Sequence, residues 1–293
     1  MRAIRPLAML CMATPWSLLS SACSVLLPTD TQQCVSDADC SQAATGVRDL
    51  VCDEGLCVAQ LPWGCVENPP TQEDMSLEMD LTLRSITTDM LVVGATVRVC
   101  ATTDVECSSP NMTATSDAQG LVRLVIESGD YLEFEAEGYP NLVIMNTAGM
   151  TLLKSDPLKT EFTVGSIEFF TNLTSLAGVT PLASHGHLQA RSVNCLFEDV
   201  AGVQFTLDKL DSNTKLIYLI NDLPSATAKE TDVETGEAWF FNVPTDTSVS
   251  LSAQLGSAGM NIGEPVAVIT RPGWITQATN FPKGVRIDSP AKR

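Results

Sequence analysis

Basic residues are scarce in this chain. It carries 17 Lys+Arg against 35 Asp+Glu over 293 residues, a formal charge of −18. Nucleic-acid binding through a basic surface is excluded, because phosphate contact needs clustered Lys and Arg to release counterions. Histidine is scarcer still, with only His185 and His187. No CxxC pair occurs, so a finger-type zinc site lacks its ligand spacing. There is no H-E-x-x-H, no G-x-S-x-G and no G-x-x-x-x-G-K. Past the first 30 positions no run of 18 apolar residues appears, so no internal transmembrane helix is expected. No catalytic residue, cofactor site or metal site is nominated.

What is present is cysteine and a globular share of apolar residues. The chain has 10 Cys and 44% hydrophobic residues. Ten thiols in so acidic a chain point to an oxidising compartment. The N-terminus agrees. Arg2 and Arg5 precede an apolar stretch over residues 7–19, then Ser20, Ser21, Ala22 and Cys23. Residues 1–22 form a secretory signal of the kind that is removed. Cysteine directly after small residues resembles a bacterial lipobox, although Ser20 stands where that pattern usually has Leu. The resemblance implies lipidation of Cys23, hence a membrane partner through several acyl chains. Ser24 rather than Asp follows, which favours the outer membrane of a Gram-negative bacterium. The alternative is ordinary cleavage nearby, with Cys23 free or disulfide-bonded. Loss of Arg2 and Arg5 with the signal would take the charge from −18 to −18 − 2 = −20.

Residues 23–33 read as a lipidated tether. Cys34, Cys40, Cys52 and Cys57 follow within a polar segment, residues 34–58, that is too small to build a core and must be stapled. Cys34–Cys52 with Cys40–Cys57 is the expected pairing, one of three that four cysteines allow. The pattern resembles small cysteine-rich modules near the N-termini of secreted bacterial lipoproteins. Its two readings are a stiff spacer and a binding knob. Residues 59–75, with Pro62, Pro69 and Pro70, form a linker that contains Cys65.

From Ser76 the pattern changes to alternation. Leu77, Met79, Leu81 and Leu83 alternate with Glu78, Asp80, Thr82 and Arg84, as in a strand with one wet face. Similar runs surround Val97, Leu124 and Phe134, separated by turns such as Asp117-Ala-Gln-Gly120. Short strands at this spacing predict a mostly β fold of antiparallel sandwiches. The pattern also repeats. Gly94-Ala-Thr-Val aligns with Gly202-Val-Gln-Phe, and Thr115-Ser-Asp117…Gly120 with Thr231-Asp232…Gly236. The expected layout is sandwich 1 over residues 76–162, a helical connector over 163–184, sandwich 2 over 185–284, and a flexible tail over 285–293. The connector helix should start at Ser166 and stop at Gly178.

These carriers, with Glu137-Gly138-Tyr139 and Phe240-Phe-Asn-Val-Pro244, resemble the carboxypeptidase regulatory-like (transthyretin-like, or prealbumin-like) β-sandwich. The overall layout resembles surface lipoproteins of Gram-negative soil bacteria. The resemblance implies a fold and no peptidase activity, since these modules carry no zinc or catalytic residues. A disulfide Cys100–Cys107 is expected to close a loop, and by elimination Cys65 would meet Cys195. His185-Gly-His187 reads as the start of a strand. Asp208, Asp211 and Asn213 read as turn residues. Trp239 and Phe241 would point outward if Ala238 and Phe240 face the core. There they would either stack on sugar rings or be covered by residues 217–224. The expected function is therefore non-catalytic: structural, adhesive or recognition work at the cell envelope. The alternative is binding of a surface polysaccharide through the Trp239/Phe241 face, with another envelope protein as a further partner class. A hydrolase built on either histidine is the remote alternative.

Overall fold

In the computed structural model, residues 34–35, 50–53, 55–59, 76–127, 129–145, 158–194, 198–232, 235–245, 249–256 and 259–280 are described. The signal, Cys23, Cys40, Cys65, Cys195 and the side chain of Cys57 lie outside that set, as do residues 281–293. The small N-terminal unit contains a hairpin, β1 (Leu50–Asp53) and β2 (Leu56–Ala59). Gly55, at φ +83°, supplies the left-handed residue its tight turn needs. Cys34 is disulfide-bonded to Cys52 with Cα atoms 5.7 Å apart.

The remaining strands belong to the body. Its first copy holds β3 (Leu77–Ser85), β4 (Thr96–Ala101), β5 (Met112–Thr115), β6 (Leu121–Ile126), β7 (Asp130–Glu135), β8 (Leu142–Met145) and β9 (Leu158–Val164). Helix α1 (Ile167–Leu176) follows. Ser166 caps it, its hydroxyl accepting from the Phe169 N–H. Gly178, at φ +63°, follows its last turn. The second copy holds β10 (Gly186–Ser192), β11 (Val203–Leu207), β12 (Lys215–Ile220), β13 (Leu223–Ser225), β14 (Glu237–Val243), β15 (Val249–Leu255), β16 (Met260–Asn261), β17 (Val266–Val268) and β18 (Ile275–Asn280).

The repeat holds at the level of atoms. Gly94 and Gly202 sit at φ +77° and +78°. The Gly94 N–H donates to Ser116 O, and the Gly202 N–H to Thr231 O. The next amides, of Ala95 and Val203, donate to the hydroxyls of Ser116 and Thr231. Those hydroxyls in turn donate to Val92 O and Val200 O. Strand pairing repeats too. β3 lies between antiparallel β6 and parallel β9, as β10 lies between antiparallel β14 and parallel β18. β4 pairs β7, and β7 pairs β8; β11 pairs β15, and β15 pairs β17.

The two sandwiches are not separate. β8 of the first copy pairs in parallel with β18 of the second, from Leu142↔Ile275 to Met145↔Ala278. One nine-stranded sheet results, in the order β13-β12-β14-β10-β18-β8-β7-β4-β5. Parallel pairs at β3·β9, β10·β18 and β18·β8 make the sheets mixed rather than wholly antiparallel. The sheet is buried on opposite faces by different partners. Val97, Val99, Phe134, Leu142 and Ile144 pack with Met79, Leu81, Leu83 and Leu124 of the β6-β3-β9 sheet. Leu188, Ala190, Ala238 and Phe240 pack with Phe205, Leu251 and Ala253 of the β11-β15 sheet. Period-two alternation sends neighbouring side chains to the two different cores.

Candidate functional site

Trp239 and Phe241 do not stand outward. Trp239 is 5% exposed and Phe241 is fully buried. The inference from alternation fails because the second face of β14 has its own cover. Helix α1 lies over it, and the Phe170 ring centre is 6.2 Å from Trp239 and 6.3 Å from Phe241. Ile217 and Leu219 of β12 join the same core. No flat aromatic platform for a sugar ring exists there.

Beside these rings a cleft of about 340 Å³ opens between α1 and the central sheet. Phe169, Phe170, Leu142 and Ile275 give it an apolar wall. Its floor is polar and comes from three adjacent strands. Gln277 Nε2 donates to Gln189 Oε1 at 2.7 Å, and Gln189 Nε2 donates to Glu237 Oε2 at 2.9 Å. The alignment follows from register, since Gln189 of β10 lies opposite Gln277 of β18. Burial pushes the Glu237 carboxyl above its usual range, opposed by the Gln189 hydrogen bond and by Arg191. Asp199 and Asp222 also line the cleft, and Asp199 is bound by Arg191. The Trp239 indole lines it as well, and its buried Nε1–H has no acceptor. An orphaned buried donor is uncommon in a folded protein.

The two histidines do not converge. His187 is 2% exposed, with its ring centre 4.9 Å from Phe170 and 5.9 Å from Phe241. Its Nδ1 accepts from the Asn242 N–H at 3.3 Å, which leaves the proton on Nε2. Burial, helped by the nearby His185, depresses its pKa to about 4. His185 instead reaches Asp211, at 2.9 Å from Nε2, while Ser184 Oγ lies 3.0 Å from Nδ1. Sequence reading missed this Ser–His–Asp chain because Asp211 is 26 residues away. Its parts hold the fold. Asp211 accepts the backbone N–H groups of Asn213 and Thr214 and closes the turn before β12. The His185 hydrogen bond comes first among the causes that hold the Asp211 carboxyl well below the usual range. The His185 N–H, next to Ser184, donates to Leu182 O rather than facing an oxyanion. Asp208 likewise accepts the Ser250 N–H.

A second buried polar group ties the copies together. Glu133 of β7 is 1% exposed and pairs with Arg98 at 2.9 Å and with Arg271, from the loop before β18. Arg271 also donates to Val105 O and to the Tyr131 hydroxyl at 2.9 Å. Its guanidinium lies 4.9 Å from the Trp274 ring centre, which places Trp274 as packing against the second core. Burial raises the Tyr131 hydroxyl to about 12. Cys100, Cys107 and Glu133 approach within 4.8 Å of one another. The two sulfurs are joined as a disulfide, which removes the thiolates a metal would need.

No protein-family model matches this chain, and no curated protein matches it at a significant level. Several solved structures do. The TIE protein of Bacillus anthracis is 12% identical over 71% of this chain and 34% of that one, with a TM-score of 0.23. This chain therefore spans about a third of that protein's length. The D295N mutant of shaft pilin SpaA from Lactobacillus rhamnosus GG is 10% identical, covering 72% of this chain and 100% of that one, at 0.23. GBS52, a minor pilin of Streptococcus agalactiae, is 12% identical over 74% and 100%, at 0.24. Superposition this loose assigns neither a family nor a function, so the functional reading rests on the residues above. Among the described residues, no helix is long and apolar enough to cross a membrane.

Proposed function

We propose that this chain is a non-catalytic, lipid-anchored cell-envelope protein with a structural, adhesive or recognition role. The observation that carries the reading is the fused nine-stranded sheet, closed by the Arg271–Glu133 pair across the two copies. A body built this way resists hinge motion between its halves, as a spacer or display scaffold requires. The chemically capable groups support it, since His187, Asp211, Glu133 and the Cys100–Cys107 pair all serve internal contacts. The signal over residues 1–22, followed directly by Cys23, supplies the anchoring half of the reading, and the outer membrane of a Gram-negative cell is its site. The carboxypeptidase regulatory-like resemblance belongs to the same proposal.

Two experiments test it. Radiolabelled palmitate should enter the wild-type protein and not Cys23→Ala, and the variant should leave the membrane fraction. Equal membrane retention without label in both would overturn the anchor. Hydrolysis of ester or peptide substrates should be absent. An activity that disappears in Ser184→Ala would overturn the non-catalytic reading.

A further inference from the structure

We infer that the outer edge of β5 (Met112–Thr115) pairs with the same strand of a second copy of this chain, antiparallel across a two-fold axis at Ala114. The inference goes beyond the role proposed above and does not depend on the lipid anchor.

A sheet edge is a row of unpaired N–H and C=O groups, and proteins guard it with charge, proline, shortness or cover. The other edges of the body carry such guards. β13 is three residues long and contains Pro224. β9 carries Lys159 and Glu161, and β6 carries Arg123. β16 and β17 are two and three residues long. β11 is covered, because Val203 O accepts the Thr231 N–H and the Phe205 N–H donates to the Tyr218 hydroxyl. β5 ends the nine-stranded sheet and pairs with β4 alone. No charged residue occurs over residues 108–116, in a chain of charge −18. Pro110 precedes the strand and leaves its amides intact.

The edge is also open and complementary to itself. The Ser116 N–H donates inward to Ala95 O, so alternation aims the N–H and C=O groups of Thr113 and Thr115 outward. Both residues are exposed. Beside them a cavity of about 290 Å³, lined by Met112, Leu124 and Val125, shows that β6 does not close over the edge. An axis at Ala114 sets Thr113 opposite Thr115 of the second copy, each exchanging N–H and C=O with the other. Met112 then faces Ser116, so no like charges are opposed. Facing Thr pairs stabilise an antiparallel ladder. Ala114 is small enough for the close approach of a non-hydrogen-bonded pair, with Cα atoms about 4.5 Å apart. Such a contact uses the same patch on both copies and closes at two.

The test uses the oxidised full chain in detergent, cross-linked under mild oxidation and read on non-reducing gels. Ala114→Cys should form a covalent dimer, because its counterpart lies within disulfide reach. Thr113→Cys should not, because its counterpart stands diagonally, beyond about 7 Å. Adding Thr113→Pro to Ala114→Cys removes an outward N–H from each copy, and the dimer yield should fall at least about tenfold. Thr113→Lys keeps the amide, supplies the charge that guards other edges, and should lower the yield likewise. Thermal melting shows whether each variant keeps its fold; if the proline variant does not, the lysine variant decides. No dimer in Ala114→Cys, equal dimer in Thr113→Cys, or undiminished dimer in the folded edge variants would overturn the pairing.

Discussion

Replacing Arg271 with Met removes the cation that reaches from the second copy into the first. Met retains most of the aliphatic volume, so the loss is electrostatic. Glu133 is 1% exposed and would keep Arg98, at 2.9 Å, as a cationic partner, with the Tyr131 hydroxyl at 3.5 Å. The Tyr131 hydroxyl would lose a donor at 2.9 Å, and Val105 O would lose another. Breaking a buried pair from one side costs about 3–5 kcal/mol, because the remaining charge stays buried. Arg98 still compensates Glu133 in part, which sets the expectation at the lower end, about 3 kcal/mol. For a body of this size that corresponds to a fall in Tm of roughly 6–12 °C. Urea unfolding followed by tryptophan fluorescence measures it directly. The double variant Arg271→Met, Glu133→Leu should be less destabilised than the sum of the singles by about 1–3 kcal/mol. A single-variant loss below about 1 kcal/mol, or strict additivity, would refute the claim that this pair holds the copies together.

Other outcomes follow from the same contacts. Ser116→Ala and Thr231→Ala each remove a hydroxyl that bridges two backbone groups at the start of its copy, and each should cost about 1–3 kcal/mol. Thr231→Ser should be close to neutral in the same denaturation assay; equal losses in Ser and Ala variants would contradict the bridging role. His187 titrates near 4 in the fold against 6.5 when free, so its neutral form is the native one. Its contribution is complete above about pH 6.5 and is lost as pH falls towards 4, by up to about 3 kcal/mol. The stability difference between wild type and His187→Phe should therefore shift in favour of the variant across that window, and a pH-independent difference would contradict it.

The parts of this fold legible in the sequence are those fixed by local backbone demands. Gly94 and Gly202 must take positive φ, and Asp117 and Asp232 must accept nearby N–H groups, so the repeat survives in residues that have no substitute. Ser166 and Gly178 mark the ends of α1 for the same reason. What the sequence did not reveal is non-local. The β8·β18 pairing joins strands more than 130 residues apart, and edge-to-edge register leaves no signature in either strand. The outward placing of Trp239 and Phe241 fails for the same reason, while the alternative of cover from residues 217–224 holds in part through Ile217 and Leu219. A strand buried on both faces reads as a continuous apolar run, here Ala238-Trp-Phe-Phe241, and alternation alone cannot tell a second core from solvent. The cleft was hidden because Gln189, Glu237 and Gln277 meet only through the register of β14, β10 and β18.

Two copies of one unit share a single sheet through β8 and β18. Hydrogen–deuterium exchange of the oxidised full chain, read by mass spectrometry on peptides spanning residues 141–145 and 275–280, tests it most directly. Both strands should exchange as slowly as the neighbouring β7 and β10, because every one of them is hydrogen-bonded on both edges. Fast exchange confined to β8 and β18, with β7 and β10 still protected, would mean two separate sandwiches and would contradict it.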